Sequence, residues 1–222
     1  MCGRFTLTVE QKALATRFGI KLPAGFDSMT SRYNVVPTQN VIVVSDDGHR
    51  YVERMRWGLI PSWAKDPTIG SRLINARAET VAEKPSFRSA LRKRRCLILA
   101  DGFYEWQKVG AVKQPVRIVL KTREPFAFAG LWETWKPAES DPILSCAIIT
   151  TEANKLLKAV HNRMPVILPR EAEATWLDPK ITEPEPLLPL LKPYPADAME
   201  YFPVSRAVNS PKHDAPDCIV PI

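Results

Sequence analysis

The sequence predicts an α+β fold in which short helices accompany strands that pair mainly in antiparallel fashion. Apolar runs of strand length follow one another at hairpin spacing, and they do not alternate with crossover helices as in parallel α/β folds. Prolines make up 21 of the 222 residues, about twice the usual share, and break the chain into many short elements. One core suffices for a chain of this length, so we expect a single domain over residues 1–222.

The first part of the chain predicts one helix and one hairpin. Residues 9–18 carry apolar side chains at helical spacing, and Gly19 is expected to end that helix. Residues 41–45 form an apolar run and residues 51–57 an alternating one, and the two flank an Asp-Asp-Gly turn at residues 46–48. This combination is typical of a β-hairpin.

The later part of the chain predicts further helices and strands between proline-rich breaks. A basic helix is expected at residues 86–95 with Ser86 as its N-cap, because a serine side chain accepts hydrogen bonds from free N–H groups at a helix start. Shorter helices are expected at residues 152–160 and 171–177. The chain after Pro184 is expected to wrap over the surface. Strands are predicted at residues 96–100, 115–121, 126–132, 143–150, 161–168 and 201–205.

Charge and cysteine content narrow the classes of function. Lysine and arginine exceed aspartate and glutamate by 31 to 24, and the net charge of +7 permits a polyanionic partner without requiring one. No apolar run reaches the roughly 18–20 residues of a membrane span, and no signal peptide is evident, so we expect a cytoplasmic protein. The four cysteines include no Cys-x-x-Cys pair, which argues against zinc ribbons and thioredoxin-like sites. Cys96, Cys146 and Cys218 are expected to be buried, reduced thiols.

The start of the chain carries a specific chemistry. Removal of Met1 by methionine aminopeptidase would leave Cys2 with a free α-amine beside its thiol. The pKa of such an amine is roughly 7.7–8.0, and that of the thiol is roughly 8.5. The amine of a 1,2-aminothiol condenses with an aldehyde to an imine, and the nearby thiolate then closes a five-membered thiazolidine. An N-terminal cysteine is equally a candidate nucleophile for amide hydrolysis.

Three further segments contain side chains suited to acid–base or phosphate chemistry. Asn75 and Arg77 offer an amide and a phosphate-binding fork, although a solvated loop would explain them too. Glu105 follows an apolar strand between aromatic residues, where desolvation raises a carboxyl pKa, unless it pairs with a surface lysine. His161 is either a held imidazole or a histidine at a helix C-terminus. No second ligand stands at metal-binding spacing from His161, so no metal site is predicted.

Aromatic and basic residues are interleaved around these segments, a combination that suits single-stranded nucleic acid. The aromatic rings would stack on bases, and the guanidinium groups would pair with phosphates. The residues concerned are Trp57, Trp63, Trp106, Arg4, Arg77 and Arg163. The basic run from Arg92 to Arg95 is either a solvated helix face or an additional binding patch.

Eight sequence strings share one order with a known family. They are MCGRF, RYNVVPTQ, WGLIPSWAKD, INARAET, RRCLILADGFYEW, FAGLWE, ITTEAN and HNRMPVIL, and they span residues 1–168. In this combination the chain resembles the SRAP family, the SOS response-associated peptidases that sense abasic sites in DNA. The resemblance implies a compact α+β fold around a curved, largely antiparallel and partly barrel-like β-sheet with flanking helices. The last string has Asn162 where the family usually carries aspartate.

The resemblance implies covalent capture of abasic sites in single-stranded DNA. Cys2 would form a thiazolidine crosslink with the sugar aldehyde, and Asn75, Glu105 and His161 would complete the catalytic set. Asn75 would hold the sugar or the amine, Glu105 would act as acid and base, and His161 would help to open the sugar ring. Contacts to DNA would come from Arg4, Arg77, Arg163, Trp63 and Trp106. No metal or organic cofactor is implied.

The resemblance also bears on partners and on competing functions. A monomer induced by DNA damage and working beside the replication or translesion machinery would fit it, and the imine step would allow weak abasic-site lyase activity. Two other functions stay open on sequence grounds. One is an N-terminal-nucleophile thiol peptidase that removes its own leader, and the other is a protein that binds single-stranded DNA without a covalent bond.

Overall fold

Two β-sheets, three short α-helices and several 3-10 turns form the regular structure of the described residues. The computed structural model describes residues 2–21, 23, 31–137 and 141–222. None of the helices within these residues is long and apolar enough to cross a membrane. The helices are α1 (Gln11–Phe18), α2 (Arg88–Lys93) and α3 (Arg170–Leu177). The strands are β1 (Phe5–Leu7), β2 (Arg32–Val35), β3 (Asn40–Asp46), β4 (Arg50–Trp57), β5 (Asn75–Arg77), β6 (Arg95–Ala100), β7 (Gly102–Val109), β8 (Val112–Leu120), β9 (Phe126–Trp135), β10 (Ile143–Glu152), β11 (Arg163–Pro165), β12 (Ile167–Leu168) and β13 (Met199–Pro203).

The first sheet places the N-terminal strand in its interior. Its strand order is β13-β8-β7-β1-β2, and all neighbouring strands are antiparallel. Phe5 of β1 lies opposite Phe103 of β7 on one side and Val35 of β2 on the other. Because β1 begins at Phe5, the residues from Cys2 to Arg4 lead directly into the middle of this sheet.

The second sheet closes on itself and confirms the predicted fold class. Its strand order is β11-β10-β4-β3-β6-β9-β12, and β10 pairs with β9 as well, so that five strands form a ring. The pairs β10–β4 and β10–β5 are parallel, whereas the other pairs of this sheet are antiparallel. The predicted α+β class with a largely antiparallel, partly barrel-like arrangement is therefore confirmed.

Apolar side chains from both sheets share a core. Phe5 of the first sheet and Phe128 of the second meet edge to face, with ring centroids 5.7 Å apart. Residues of β6 alternate between this core and a second cluster that includes the three helices, with Ile98 in the first and Leu97 and Leu99 in the second. Burial on both sides explains why β6 reads as an unbroken apolar run rather than an alternating one.

The first predicted helix and the predicted hairpin are confirmed, but the capping of the second helix is wrong. Gly19 ends α1 in the left-handed conformation with φ of 63°, as expected for a glycine at this position. Helix α2 begins at Arg88, and Phe87 rather than Ser86 occupies its N-cap without a side-chain hydrogen bond. The helix also ends before Arg95, which already belongs to β6.

The helix predicted at residues 152–160 does not form. Strand β10 continues to Glu152, and only a 3-10 turn at Leu157–Ala159 follows. The side chain of Asn154 explains the difference. Its Oδ1 accepts a hydrogen bond from the N–H of Leu157 at 3.0 Å, and its Nδ2 donates to the carbonyl of Tyr194 at 2.8 Å. An asparagine that bonds the backbone in this way competes with helical hydrogen bonding.

The strand predicted at residues 161–168 is divided into β11 and β12. Between them the N–H of Val166 donates to Ile149 of β10, while its carbonyl accepts from Ala129 of β9, so the chain crosses from one strand to the other. The short helix predicted at residues 171–177 and the late strand at residues 201–205 are confirmed as α3 and β13. Local patterns did not indicate β1, β2, β5 or β7.

The loop between β4 and β5 is anchored by two glycines in backbone contact. A Cβ atom on Gly70 would lie 2.6 Å from the carbonyl oxygen of Gly58, and one on Gly58 would lie 2.7 Å from the oxygen of Gly70. Gly58 also has φ of 129°, a conformation that only glycine adopts readily. Beyond this contact, Leu59 donates to the carbonyl of Leu73 and Ile148 donates to that of Ile74. These hydrogen bonds position β5 beside β10, with which it pairs.

The chain after β13 packs against β2 rather than running free. Nδ2 of the buried Asn34 donates to the carbonyls of Ser210 and His213 at 3.0 and 2.6 Å. Asp214 accepts hydrogen bonds from the backbone N–H groups of Tyr33 and Asn34 at 2.6 and 2.9 Å. The C-terminal segment is thereby fixed beside the N-terminal strand.

Replacing Gly70 with alanine is expected to lower the free energy of unfolding by about 1–3 kcal/mol, because the added methyl group would collide with a backbone carbonyl. Urea denaturation of both proteins measures this difference. The neighbouring Ser71→Ala removes an exposed hydroxyl, whose hydrogen bond to the carbonyl of Thr68 at 2.8 Å is accessible to water, and should stay within about 0.5 kcal/mol of the parent. An unchanged midpoint for Gly70→Ala would show that the two glycines are not in close contact.

Candidate active site

Cys2 lies at the entrance to β1 and is completely buried. Its Sγ atom donates to the carbonyl oxygen of Arg4 at 3.9 Å. Burial raises the pKa of the thiol well above its ordinary value, and the nearby charge of Glu105 raises it further. The thiol is therefore protonated at neutral pH and needs a base before it can act as a nucleophile.

Asn75 joins β5 to the chain start. It lies opposite Ile148 of β10 at the first residue of β5. Its Nδ2 donates to the backbone carbonyl of Cys2 at 2.8 Å, which fixes the orientation of that residue. Its Oδ1 is buried and has no hydrogen-bond partner among the described residues. This oxygen is the one polar atom of the side chain that a bound molecule could engage.

Glu105 lies on β7, the strand that pairs with β1, and is only 5% exposed. Burial raises the pKa of its carboxyl group above the ordinary value of 4.5, and the charge of His161 acts in the opposite direction. Glu105 thus interacts electrostatically with both Cys2 and His161. A carboxyl group of raised pKa keeps its proton to a higher pH than an exposed one, which suits it to donate a proton and to take it back.

His161 is held by backbone atoms just before β11. Its Nδ1 accepts a hydrogen bond from the backbone N–H of Arg163 at 2.9 Å. In the neutral ring, this bond assigns the proton to Nε2. The exposed side chain of Asn162 forms no hydrogen bond with the described residues, so the departure from the usual aspartate does not remove the support of the imidazole.

The structure therefore brings together the four predicted catalytic residues from four separate segments. Cys2 and Asn75 are joined by a hydrogen bond, and Glu105 interacts electrostatically with Cys2 and His161. Together they provide a thiol, an amide and two groups capable of proton transfer around the start of the chain. Their catalytic roles remain predictions.

Arg4 and Trp106, both predicted to contact DNA, are held in place by the C-terminal segment. Arg4 donates to Oδ1 of Asn34 at 2.9 Å and to the carbonyl of Val208 at 2.6 Å. Its guanidinium carbon lies 5.9 Å from the ring centroid of Trp106, whose Nε1 donates to Oδ1 of Asn209 at 2.7 Å. Sequence reasoning missed Asn34 and Asn209, since no local pattern marks partners that lie 30 positions from Arg4 and 103 positions from Trp106.

Arg163 and Arg77 differ in their availability. The guanidinium of Arg163 pairs with both carboxylate oxygens of Glu79 and donates to the carbonyl of Thr150 at 2.6 Å. This hydrogen bonding lowers the pKa of Glu79, and Arg77 contributes to the same effect. Arg77 itself is exposed on β5. Glu79 belongs to the INARAET string, but its pairing with Arg163 was not predicted.

The remaining aromatic and basic candidates separate into surface and structural residues. Trp63 is 58% exposed, and its loop is fixed where Trp135 Nε1 donates to the carbonyl of Ala64 at 2.7 Å. Trp57 is completely buried and packs against Phe5, so its part is structural. In the basic run, Arg92 pairs with Glu183, Arg94 pairs with Glu133, and Arg95 is buried with its hydrogen bonds directed to backbone carbonyls.

Cys96, Cys146 and Cys218 are buried free thiols, as predicted. Cys218 has two neighbours of metal-ligating type, His213 and Asp217, and the donor atoms of the three lie within 4.8 Å of one another. Nε2 of His213 is 2.8 Å from Oδ1 of Asp217, so the two form an ion pair when the imidazole is protonated. This group includes none of the four predicted catalytic residues.

Known proteins resemble the chain in sequence and structure. Residues 1–211 match the family described as SOS response associated peptidase (SRAP). The chain is 50% identical over 223 residues to the abasic site processing protein YoqW of Bacillus subtilis (strain 168), with 99% of each chain covered. It is 35% identical over 202 residues to the abasic site processing protein HMCES of Gallus gallus, with 80% of this chain and 60% of that one covered. A crystal structure of a Bacteroides thetaiotaomicron protein, 28% identical, superposes with a TM-score of 0.90 over 100% of both chains.

Glu105→Gln is expected to stabilise the protein increasingly as the pH rises above about 4.5. In the parent, the unfolded chain releases the carboxyl proton near that pH, whereas the folded protein retains it to a higher pH. The folded state then binds more protons, so its stability falls as the pH rises through this window. Urea unfolding across the acid range measures the difference between the two proteins. The exposed Glu185→Gln is the control, and a parent that gains stability relative to Glu105→Gln with rising pH would contradict the burial effect.

Proposed function

The chain belongs to the SOS response associated peptidase (SRAP) family, and from this premise we propose that it processes abasic sites by covalent capture of the damaged sugar in single-stranded DNA. The observation that carries the proposal is the position of Cys2. It is buried at the chain start and bonded through its carbonyl to Asn75, and its thiol lies in the field of Glu105. Loss of Met1 would expose the α-amine of Cys2 at the same place.

The first step is condensation of the α-amine of Cys2 with the aldehyde at C1′ of the ring-opened sugar. A C–N bond forms, and the carbinolamine then loses water to give an imine. Glu105 suits this step because its raised pKa lets the protonated carboxyl group donate a proton to the departing hydroxyl. The carboxylate that results lies beside a cationic, protonated imine, which it stabilises.

The second step closes the thiazolidine ring. The thiol of Cys2 gives its proton to the Glu105 carboxylate, and the sulfur adds to the imine carbon while the imine electron pair moves to nitrogen. No group leaves, so the product retains the whole sugar and both strand ends. Because the thiol is within the same residue as the imine nitrogen, ring closure needs no further encounter.

His161 and Asn75 fit supporting roles in this sequence. Nε2 of His161 carries a proton in this arrangement and would donate a hydrogen bond to O4′ of the closed sugar. The imidazolium form, whose Nδ1 would donate to the carbonyl of Arg163 at 3.3 Å, would protonate that oxygen as the ring opens. Asn75 holds the carbonyl of Cys2 with its amide nitrogen and offers its buried oxygen to the amine or to a sugar hydroxyl. The imine would also permit β-elimination, in which C2′ loses a proton and the 3′ phosphate departs, and this is the proposed source of weak lyase activity.

The proposed DNA contacts differ in whether the side chain is exposed or already bonded within the protein. Exposed Arg77 would bind a phosphate directly, and exposed Trp63 would stack against a flanking base. Arg163 reaches a phosphate only if its bond to Glu79 is exchanged. Arg4 and Trp106 would contact the strand from positions fixed by the C-terminal segment.

Cys2→Ala is expected to abolish a denaturant-stable crosslink to single-stranded DNA that carries one abasic site. The alanine variant keeps the α-amine but lacks sulfur, so only a reversible imine can form. The measurement is a denaturing gel of labelled DNA, followed by mass spectrometry of the adduct. A strand with an intact base at the same position is the matched control.

Other outcomes of this experiment favour the competing functions. A mature protein that starts at Cys2 and forms no adduct would refute covalent capture. Full binding by Cys2→Ala with no adduct from either protein would support a non-covalent binder. A chain extended by a short leader before Cys2, which removes that leader without DNA, would support a thiol autopeptidase.

Asn75→Ala is expected to slow crosslink formation about tenfold, because one hydrogen bond worth about 1–1.5 kcal/mol no longer orients the reacting residue. Affinity for a strand with an unreactive abasic analogue should change little. Single-turnover rates and equilibrium binding distinguish the two effects. Asn162→Ala is the matched control, since backbone atoms hold His161, and a variant of Asn75 that loses affinity but keeps its rate would contradict the positioning role.

A further inference from the structure

A group of side chains suited to a metal ion lies near the end of the described chain, after β13. His213, Asp217 and Cys218 belong to residues 213–218, which we call the C-terminal turn, and their donor atoms lie within 4.8 Å of one another. Within the described parts of the chain, no other three residues of metal-ligating type converge in this way. The group combines an imidazole nitrogen, a carboxylate and a thiol, three of the donors that zinc binds in proteins.

The geometry of this group is close to that of a tetrahedral metal site. Nε2 of His213 lies 2.8 Å from Oδ1 and 2.9 Å from Oδ2 of Asp217. Donor atoms that bind one zinc ion at about 2.0–2.3 Å are about 3.3–3.6 Å apart in tetrahedral geometry. The imidazole and the carboxylate would therefore separate by about half an ångström, and Sγ of Cys218 would approach them. Small rotations suffice, because Asp217 is exposed and His213 is partly exposed.

Hydrogen bonds to the rest of the protein fix the backbone of the C-terminal turn at both ends. The N–H of His213 donates to the carbonyl of Ser210 at 3.1 Å, and its own carbonyl accepts from Nδ2 of buried Asn34 at 2.6 Å. At the other end, the hydroxyl of buried Tyr104 donates to the carbonyl of Cys218 at 3.2 Å. Ligands whose backbone is already held lose little conformational entropy when they bind an ion.

The charges in and around this group suit a divalent cation. As a thiolate and a carboxylate, Cys218 and Asp217 would carry two negative charges, which a divalent ion neutralises. Two further charges act on the Cys218 thiol, the carboxylate of Asp214 and the guanidinium of Arg4. They are opposite in sign, and Asp214 is itself paired with Arg32, so neither sets the charge of the group.

We propose that His213, Asp217 and Cys218 bind one zinc ion or a similar borderline-soft divalent cation. Mixed nitrogen, sulfur and oxygen donors match the preference of zinc, whereas Mg²⁺ and Ca²⁺ prefer oxygen donors alone. On binding, the S–H bond of Cys218 breaks, its proton passes to solvent and the thiolate sulfur bonds to the metal. The exposed side of the group leaves the fourth position to water. Because the site includes none of the four predicted catalytic residues, the proposal does not depend on the proposed function.

A bound ion would join the two ends of the C-terminal turn beside the residues that hold Arg4 and Trp106. The side chain of Asn34 links the two regions, since its Oδ1 accepts from Arg4 while its Nδ2 donates to the carbonyl of His213. Asn209, which holds the ring of Trp106, precedes the turn by only four residues. An ion that binds the folded arrangement better than the unfolded chain stabilises it by mass action.

The test uses Co²⁺ as a probe, because its absorption spectrum reports both tetrahedral geometry and a bound thiolate. The amine and thiol of Cys2 could together chelate a metal, so the experiment is carried out on reduced protein that carries Cys2→Ala. One Co²⁺ per chain is expected to produce a thiolate charge-transfer band in the near ultraviolet together with visible bands of tetrahedral cobalt. Zn²⁺ should displace it and raise the midpoint of urea unfolding, whereas Mg²⁺ at the same concentration should do neither.

Variants of the three ligands assign the bound ion to this group. Cys218→Ser is expected to abolish the charge-transfer band. His213→Ala and Asp217→Asn should each weaken Zn²⁺ binding at least about tenfold, because residues that merely support a ligand commonly contribute that much. These two variants change surface side chains, so they test the site even where Cys218→Ser fails to fold. The matched controls are His49→Ala and Asp47→Asn, which alter an exposed histidine and an exposed aspartate in the β3–β4 turn and should leave binding unchanged.

Three outcomes would overturn the proposal. Absence of the charge-transfer band in excess Co²⁺ would leave His213 and Asp217 as an ion pair beside a buried thiol. A band that survives Cys218→Ser, or an equal loss of affinity in the control variants, would place the ion elsewhere. Displacement of Co²⁺ by Mg²⁺ would reassign the group to a site for oxygen-seeking cations. Since the assay contains no DNA, its result is separate from the test of covalent capture.

Discussion

The antiparallel pairing of β1 with β7 is the constraint on which the rest of the candidate site depends. It places β1, the first strand of the sequence, inside a sheet between β7 and β2. A buried polar network fixes its register: Asp101 accepts from the hydroxyl and N–H of Thr8, from the hydroxyl of Thr6 and from Arg117. The N–H of Tyr104 then donates to the carbonyl of Arg4, so Cys2 can lie only beside the strand that carries Glu105.

Burial around Cys2 favours one order of reaction for its two nucleophiles, the amine and the thiol. The same desolvation that raises the pKa of the Cys2 thiol also raises that of the Glu105 carboxyl group, so both favour their neutral forms. A neutral thiol is a weak nucleophile, whereas an uncharged amine attacks an aldehyde readily. In the proposed mechanism, nitrogen therefore reacts first. The cationic imine then stabilises the carboxylate of Glu105, which accepts the proton of the thiol as sulfur attacks.

Local sequence patterns predict the elements whose causes are local. The turn at residues 46–48 and Gly19 produce the expected hairpin and helix end because their backbone preferences need no distant partner. The helix expected at residues 152–160 fails because Asn154 bonds to Tyr194, forty positions away. Strands β1, β2 and β5 have three or four residues each, too few to show a period, and they exist through pairing alone.

The same distinction between local and distant causes applies to the candidate site. Chemical character and a resemblance in motif order suffice to single out Cys2, Asn75, Glu105 and His161, and the fold brings them together. What sequence reasoning missed is how each residue is held. Backbone atoms of Arg163 orient His161, and Asn209, more than a hundred positions away from Trp106, holds its ring. The contact with Asn209 is a tertiary one that no local signal precedes, whereas the contact between Arg163 and His161 spans two residues and depends on the backbone geometry at the start of β11.

The pairing of Arg163 with Glu79 changes how the binding surface should be understood. An arginine already bonded to a carboxylate gains little from a phosphate, because one charged partner replaces another and the carboxylate is released. In the proposed function, the affinity for DNA would then come largely from cations without an internal carboxylate partner. Among the described residues, exposed Arg77 meets this condition better than Arg163 does. Arg163 would then serve the site mainly through its backbone N–H, which orients His161. Recognition of the strand and chemistry on the sugar would be carried out by different residues.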